Sequence, residues 1–188
     1  MNFSNYLNLF DEIITAENPV APYNEEAYFH YAELNHKRQD RWQKKGELSA
    51  DTLDALSKIN QNLNWVLITE PWCGDAAHSN PFIDKMADAS DNIDLTVQLR
   101  DSGSEIDKYL TNGGKSIPIL IVRDAEGNDI FRWGPRPEAA QEIHLKNLQS
   151  DKSEEEKKVE LQKWYNADKG ATIQKELVSL LKENKLIA

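Results

Sequence analysis

Cys73 is the only thiol in the 188-residue chain, so it can attack a substrate or bind one but cannot close a disulfide within its own chain. It lies in Trp72-Cys73-Gly74-Asp75-Ala76. An apolar, β-branched run, Asn64-Trp65-Val66-Leu67-Ile68-Thr69-Glu70, leads into this stretch, ends at the turn signal Pro71, and reads as a buried parallel strand. Beyond Gly74 and Asp75, the apolar residues Phe82, Ile83 and Met86 recur at helical spacing, which places Cys73 at or just before a helix's first turn. Unpaired backbone N–H groups and the positive end of the helix dipole favour a thiolate there. The carboxylate of Asp75 acts in the opposite sense and raises the thiol pKa. The sequence leaves the balance between the two open.

The elements around this junction set what else can reach the sulfur. Arg100 ends a second strand, Ile93-Asp94-Leu95-Thr96-Val97-Gln98-Leu99, and ligand sites in parallel α/β sheets gather at the carboxyl ends of strands. Arg100 therefore either offsets Asp75 and Glu70 beside Cys73 or pairs with Asp101 or Asp107. Arg132-Trp133-Gly134-Pro135-Arg136-Pro137 leaves the last strand on the same rim, where Trp133 and Trp72 either flank a groove or pack. Three helices are expected ahead of the first strand. The first carries the stripe Phe3, Tyr6, Leu7, Phe10, Ile13 and Ile14; the second runs from about Glu25 to Lys45 with Asn24 as its cap; the third is capped by Ser49 or Asp51 and carries Leu53, Leu56 and Ile59. On the second, Tyr31, Asn35 and Arg38 share a face continued by Arg41 and Trp42. That face is either solvent-facing, with aliphatic stems over the core, or lies over the cysteine and supplies cations. A helix beginning at Pro137, and a further pair introduced by Ser153-Glu154-Glu155-Glu156, complete the chain. Asn112-Gly113-Gly114 reads as a helix C-cap.

Composition narrows the classes. The chain has 39% hydrophobic and 29% charged residues, as an ordinary globular protein does, and a net charge of −10. That charge argues against nucleic-acid binding, which needs a basic surface. No segment has the length to span a bilayer, and Met1-Asn2-Phe3-Ser4 lacks a signal peptide's basic start and apolar core, so the expectation is a cytoplasmic protein away from membranes. One cysteine excludes a disulfide framework and a multi-cysteine metal site. His30 and His36 are six apart, off the spacing of a helical ligand pair, while His78 and His144 are isolated, so neither a metal nor a cofactor is expected.

The Trp72-Cys73-Gly74-Asp75-Ala76 stretch resembles the Trp-Cys-Gly-Pro-Cys motif of the thioredoxin superfamily, in the manner of a bacterial thioredoxin family protein with a single cysteine. Pro81 falls where that family kinks its active-site helix, and Lys115-Ser116-Ile117-Pro118 opens the strand through Val122 as the family's cis-proline does. The resemblance implies a cis bond before Pro118 and a docking role for Ile117 and Pro118 against the reactive sulfur. It further implies the hairpin Asp124–Asn128 into Asp129-Ile130-Phe131-Arg132-Trp133. Two features depart from it: Ala76 stands in place of the resolving cysteine, and Leu67 in place of the buried aspartate, so both parts of a dithiol cycle are missing.

The expected fold is α/β and thioredoxin-like: one domain over 1–188, with a central mixed sheet in a core at 63–148, an N-terminal helical extension at 1–62 and C-terminal helices at 149–188. The candidate catalytic residues are Cys73, Trp72 and Pro118; the candidate substrate-binding residues are Ile117, Arg100, Trp133 and Asp75. Three functions fit them. One is monothiol redox chemistry with a client protein or a low-molecular-weight thiol as partner; a second is a non-catalytic peptide- or protein-binding module; the third is a structural descendant with an inert thiol.

Overall fold

The computed structural model describes residues 1–187. Its sheet comprises β1 (Leu63–Thr69), β2 (Ile93–Leu99), β3 (Ile119–Arg123) and β4 (Asp129–Trp133), in the order β2-β1-β3-β4. β1 is parallel to β2, with Leu63 opposite Ile93 and Thr69 opposite Leu99; β3 is antiparallel to both β1 and β4. The parallel pair requires a crossover, supplied by α4 (Gly74–Asp88). Because β1 is central and covered on both sides, its side chains are buried at nearly every position, which is why the run reads as continuous hydrophobe instead of alternating.

Alternation still divides the core. Leu63, Trp65 and Leu67 of β1 join Leu120, Val122 and Trp133 in the main cluster, packed by α1 (Phe3–Thr15), α4 and α7 (Ala171–Glu183) through Tyr6, Phe10, Phe82, Ile173 and Leu177. Val66 and Ile68 face the other way, with Ile119, Ile121, Ile106, Tyr109 and Cys73. The remaining helices are α2 (Glu26–Lys45), α3 (Ala50–Leu56), α5 (Glu138–Leu148) and α6 (Glu154–Asp168). Seven α-helices thus flank a four-stranded mixed sheet among the described residues, a thioredoxin-like architecture.

Local differences from the sequence reading have identifiable causes. β3 begins at Ile119, two residues later than the apolar run, because Pro118 has no N–H to give the ladder. α2 starts without a side-chain cap: Asn24 lies in a turn closed by the Glu25 N–H on the Pro22 carbonyl (3.0 Å), leaving Glu25 as the cap residue. Asn112 and Gly113 form a tight turn, both at positive φ, closed by reciprocal backbone hydrogen bonds between Thr111 and Gly114 (2.9 Å each), instead of capping a helix. Leu53 is exposed, and α3 buries Thr52, Ala55 and Leu56 instead. Ser153 forms a full capping box with Glu156 at the start of α6. No helix among the described residues is long and apolar enough to cross a membrane.

Candidate functional site

Cys73 is the cap residue of α4, in extended backbone just before Gly74, and is only 7% exposed. Its Sγ donates to the Ile117 carbonyl oxygen at 3.4 Å, and the Ile117–Pro118 peptide bond is cis. Burial pushes the thiol up to about 12; the Asp75 carboxylate adds to the rise, and the backbone N–H groups of Ala76 and Asp75, with Arg136, oppose it without prevailing. At neutral pH the sulfur is a protonated donor. The helix terminus does not outweigh the low-dielectric surroundings.

Asp75 points into the same region and is held from two sides. Arg136 Nη2 lies 2.7 Å from one carboxylate oxygen, and the Tyr165 hydroxyl of α6 donates to the other at 2.9 Å. Trp72 has Arg100 stacked over its ring at 4.5 Å and Tyr28 edge-on at 5.8 Å. Arg100 is fully engaged: it makes a bidentate pair with Asp101 (both contacts 2.8 Å) and donates to the Lys115 carbonyl. Arg38 lies against Gly74, its Nη1 donating to Asn35 Oδ1 at 2.8 Å, while the Asn35 amide donates to the Pro71 carbonyl at 2.9 Å. The basic face of α2 therefore lies beside the start of α4.

These residues border a cavity of about 720 Å³ between α2, the first turn of α4, the Lys115–Ile117 loop, α5 and α6. Cys73, Trp72, Asp75, Arg100 and Ile117 all line it. Pro118 stands behind the loop, its carbonyl packed on Gly134. Trp133 lies elsewhere: it is 5% exposed and donates from Nε1 to Glu176 Oε2 of α7 at 2.6 Å. It sits directly opposite Leu120 in the ladder, and opposite residues share a sheet face, so it belongs to the main core and not to the face that holds Cys73.

The far wall comes from α5 and α6, which the sequence did not connect to the cysteine. Leu148, Leu161 and Gln162 line the cavity, and Lys158 hydrogen-bonds the Tyr31 hydroxyl across it. His78 ties α6 to α4. Its Nδ1 accepts from Trp42 Nε1 at 2.8 Å, which leaves the proton on Nε2 to donate to Gln162 Oε1, also at 2.8 Å. Its ring stacks on Tyr165 at 4.6 Å.

Burial holds the His78 imidazole down to about 4, against an ordinary value of 6.5. The unfolded chain takes up this proton near pH 6.5 and the folded one resists until about pH 4, so stability is full above 6.5 and falls as the pH drops through that window. The loss is about 3 kcal/mol at roughly 1.4 kcal/mol per unit. Asp84, raised to about 6 by burial, works in the opposite sense. The His78 share is therefore read as the difference between wild type and His78→Gln in urea unfolding from pH 7.5 to 4.5. The variant is expected to show a shallower downward slope than wild type, His144, also lowered by burial, supplying part of what remains; equal slopes contradict the assignment.

Among the described residues, no three histidine, cysteine or acidic side chains cluster as metal ligands. No curated protein matches the chain. Two solved structures share its fold over nearly its whole length. A protein of unknown function from Pseudomonas aeruginosa aligns with a TM-score of 0.62 at 14% identity, covering 97% of this chain and 92% of that one. An HIV epitope-scaffold aligns with a TM-score of 0.58 at 15% identity, covering 97% and 99%. At such identities the likeness concerns fold alone. The thioredoxin sequence family matches residues 21–157, from the turn before α2 into the first turn of α6. With that match over most of its length, a four-stranded mixed sheet and one buried cysteine at the head of α4, the chain belongs to the thioredoxin family.

Proposed function

We propose that the protein is a thioredoxin-fold binding module, in which the cavity over Cys73 takes a ligand and the sulfur does not turn over. The observation that carries this reading is the state of the thiol: buried, protonated, and donating to the Ile117 carbonyl beside a cavity large enough for a small molecule or a peptide side chain. Redox catalysis needs an accessible thiolate and a means of releasing the product. Here burial opposes the first, and Ala76 in place of a second cysteine removes the intrachain form of the second.

A second reading, monothiol exchange, is favoured by the backbone N–H groups of Asp75 and Ala76 directed at the sulfur. In that chemistry the Cys73 thiol loses its proton to solvent and attacks a low-molecular-weight disulfide RSSR. The Cys73–S–S–R bond forms, the RS–SR bond breaks, and RS⁻ leaves. Intact mass measurement after an hour in millimolar 2-hydroxyethyl disulfide at pH 7 separates the two. The binding reading expects unmodified protein; a thiol-reversible adduct on Cys73 favours exchange and overturns it.

A further inference from the structure

We propose that the cavity selects an organic anion, a carboxylate on a flat apolar body, with Arg38 as its anchor; this rests on the binding reading above. The cavity wall carries six Lys and Arg side chains against two acidic ones, Asp75 and Glu154, although the chain as a whole has a net charge of −10. Four of the six cations pair with carboxylates: Arg100 with Asp101, Lys115 with Asp107, Arg136 with Asp75, and Lys157 with Glu154. The other two have neutral hydrogen-bond partners: the Tyr31 hydroxyl for Lys158 and, for Arg38, the one of the two with a planar fork, the Asn35 amide oxygen.

That partner makes Arg38 a prepared site. Asn35 is fully buried and tethered to the Pro71 carbonyl, so it fixes one edge of the guanidinium through Nη1 and leaves further donors of a planar fork suited to a carboxylate. Holding the side chain in place before binding reduces the ordering cost. The guanidinium lies against Gly74, where the first turn of α4 adds the positive end of its dipole. The wall also carries the apolar and aromatic side chains of Tyr28, Trp72, Ile117, Leu148 and Leu161, able to flank a ring, among the polar Ser116, His144, Asn147 and Gln162. Partial burial of Arg38 weakens competition from water for its charge.

The test is calorimetric titration of the full chain with 2-naphthoate and with its neutral counterpart 2-naphthylmethanol, using wild type, Arg38→Gln and Arg38→Lys. Wild type is expected to bind one naphthoate at least tenfold more tightly than the alcohol, with affinity falling as salt rises. Arg38→Gln is expected to erase that preference by weakening naphthoate binding at least tenfold relative to the alcohol, and Arg38→Lys to retain part of it, circular dichroism verifying that each variant is folded. If Arg38→Gln does not fold, the wild-type preference and its reduction in Arg38→Lys decide. Equal binding of the two probes to wild type overturns the anion inference and leaves the binding reading standing, as does a preference that survives undiminished in both Arg38→Gln and Arg38→Lys. Failure of both probes to bind at millimolar concentration overturns both.

Discussion

Gly134→Ala is expected to lower stability by about 3 kcal/mol or more, a drop in Tm of roughly 6–12 °C for a chain of this size. Gly134 has φ +118°, a conformation that side-chain-bearing residues rarely adopt. A methyl group there would overlap the Pro118 carbonyl oxygen and crowd the Pro118 carbonyl carbon at 3.2 Å and the Ile119 Cα at 3.3 Å. These are backbone atoms of the loop and strand that carry Ile117, and no rotamer change clears them. Relief requires separating the exit of β4 from the start of β3, which exposes the edge of the main core at Trp133 and Leu120. The control is Gly113→Ala, at φ +79° with open space around the new methyl group, which is expected to cost only about 1 kcal/mol. Thermal melts of the two variants followed by circular dichroism provide the comparison. Equal Tm values would show that the contact between Gly134 and the Pro118 loop does not hold the two segments together.

The parts of this molecule that can be read from sequence are those governed by local rules. β1 stands out because a strand covered on both faces is apolar throughout, and the start of α4 because Pro71 and Gly74 interrupt the run. Ser49 and Ser153 announce their helices through side chains that bond the backbone three residues on. Period-two alternation separates Trp133 from Cys73, but only once Leu120 is known to be its cross-strand partner, and that register is a tertiary fact. The cavity's far side is less legible still. The Tyr165 hydroxyl reaches Asp75 across ninety positions of sequence, and His78 reaches Gln162 across 84. In sequence, α6 is a polar helix with a charged start and little amphipathic periodicity; nothing local says that its inner face covers a cysteine. Arg100 is an intermediate case: the end of β2 does place it beside Trp72, but its charge is taken up by its neighbour Asp101.

The central claim is that the fold keeps Cys73 as a resting thiol at the edge of a binding cavity. Three features act together: burial, the Asp75 carboxylate, and the Ile117 carbonyl, which accepts a hydrogen bond only from a protonated sulfur. With the thiol pushed up to about 12, its thiolate fraction at pH 7 is roughly three orders of magnitude below that of an ordinary cysteine. Limited access slows reagents further. The most direct measurement is the rate of iodoacetamide alkylation of Cys73 in the folded protein from pH 5 to 10.5, alongside the urea-unfolded chain. The account predicts a folded-state rate at pH 7 at least ~1000-fold below the unfolded one and rising about tenfold per pH unit without a plateau; a rate that levels off below neutral pH would contradict it.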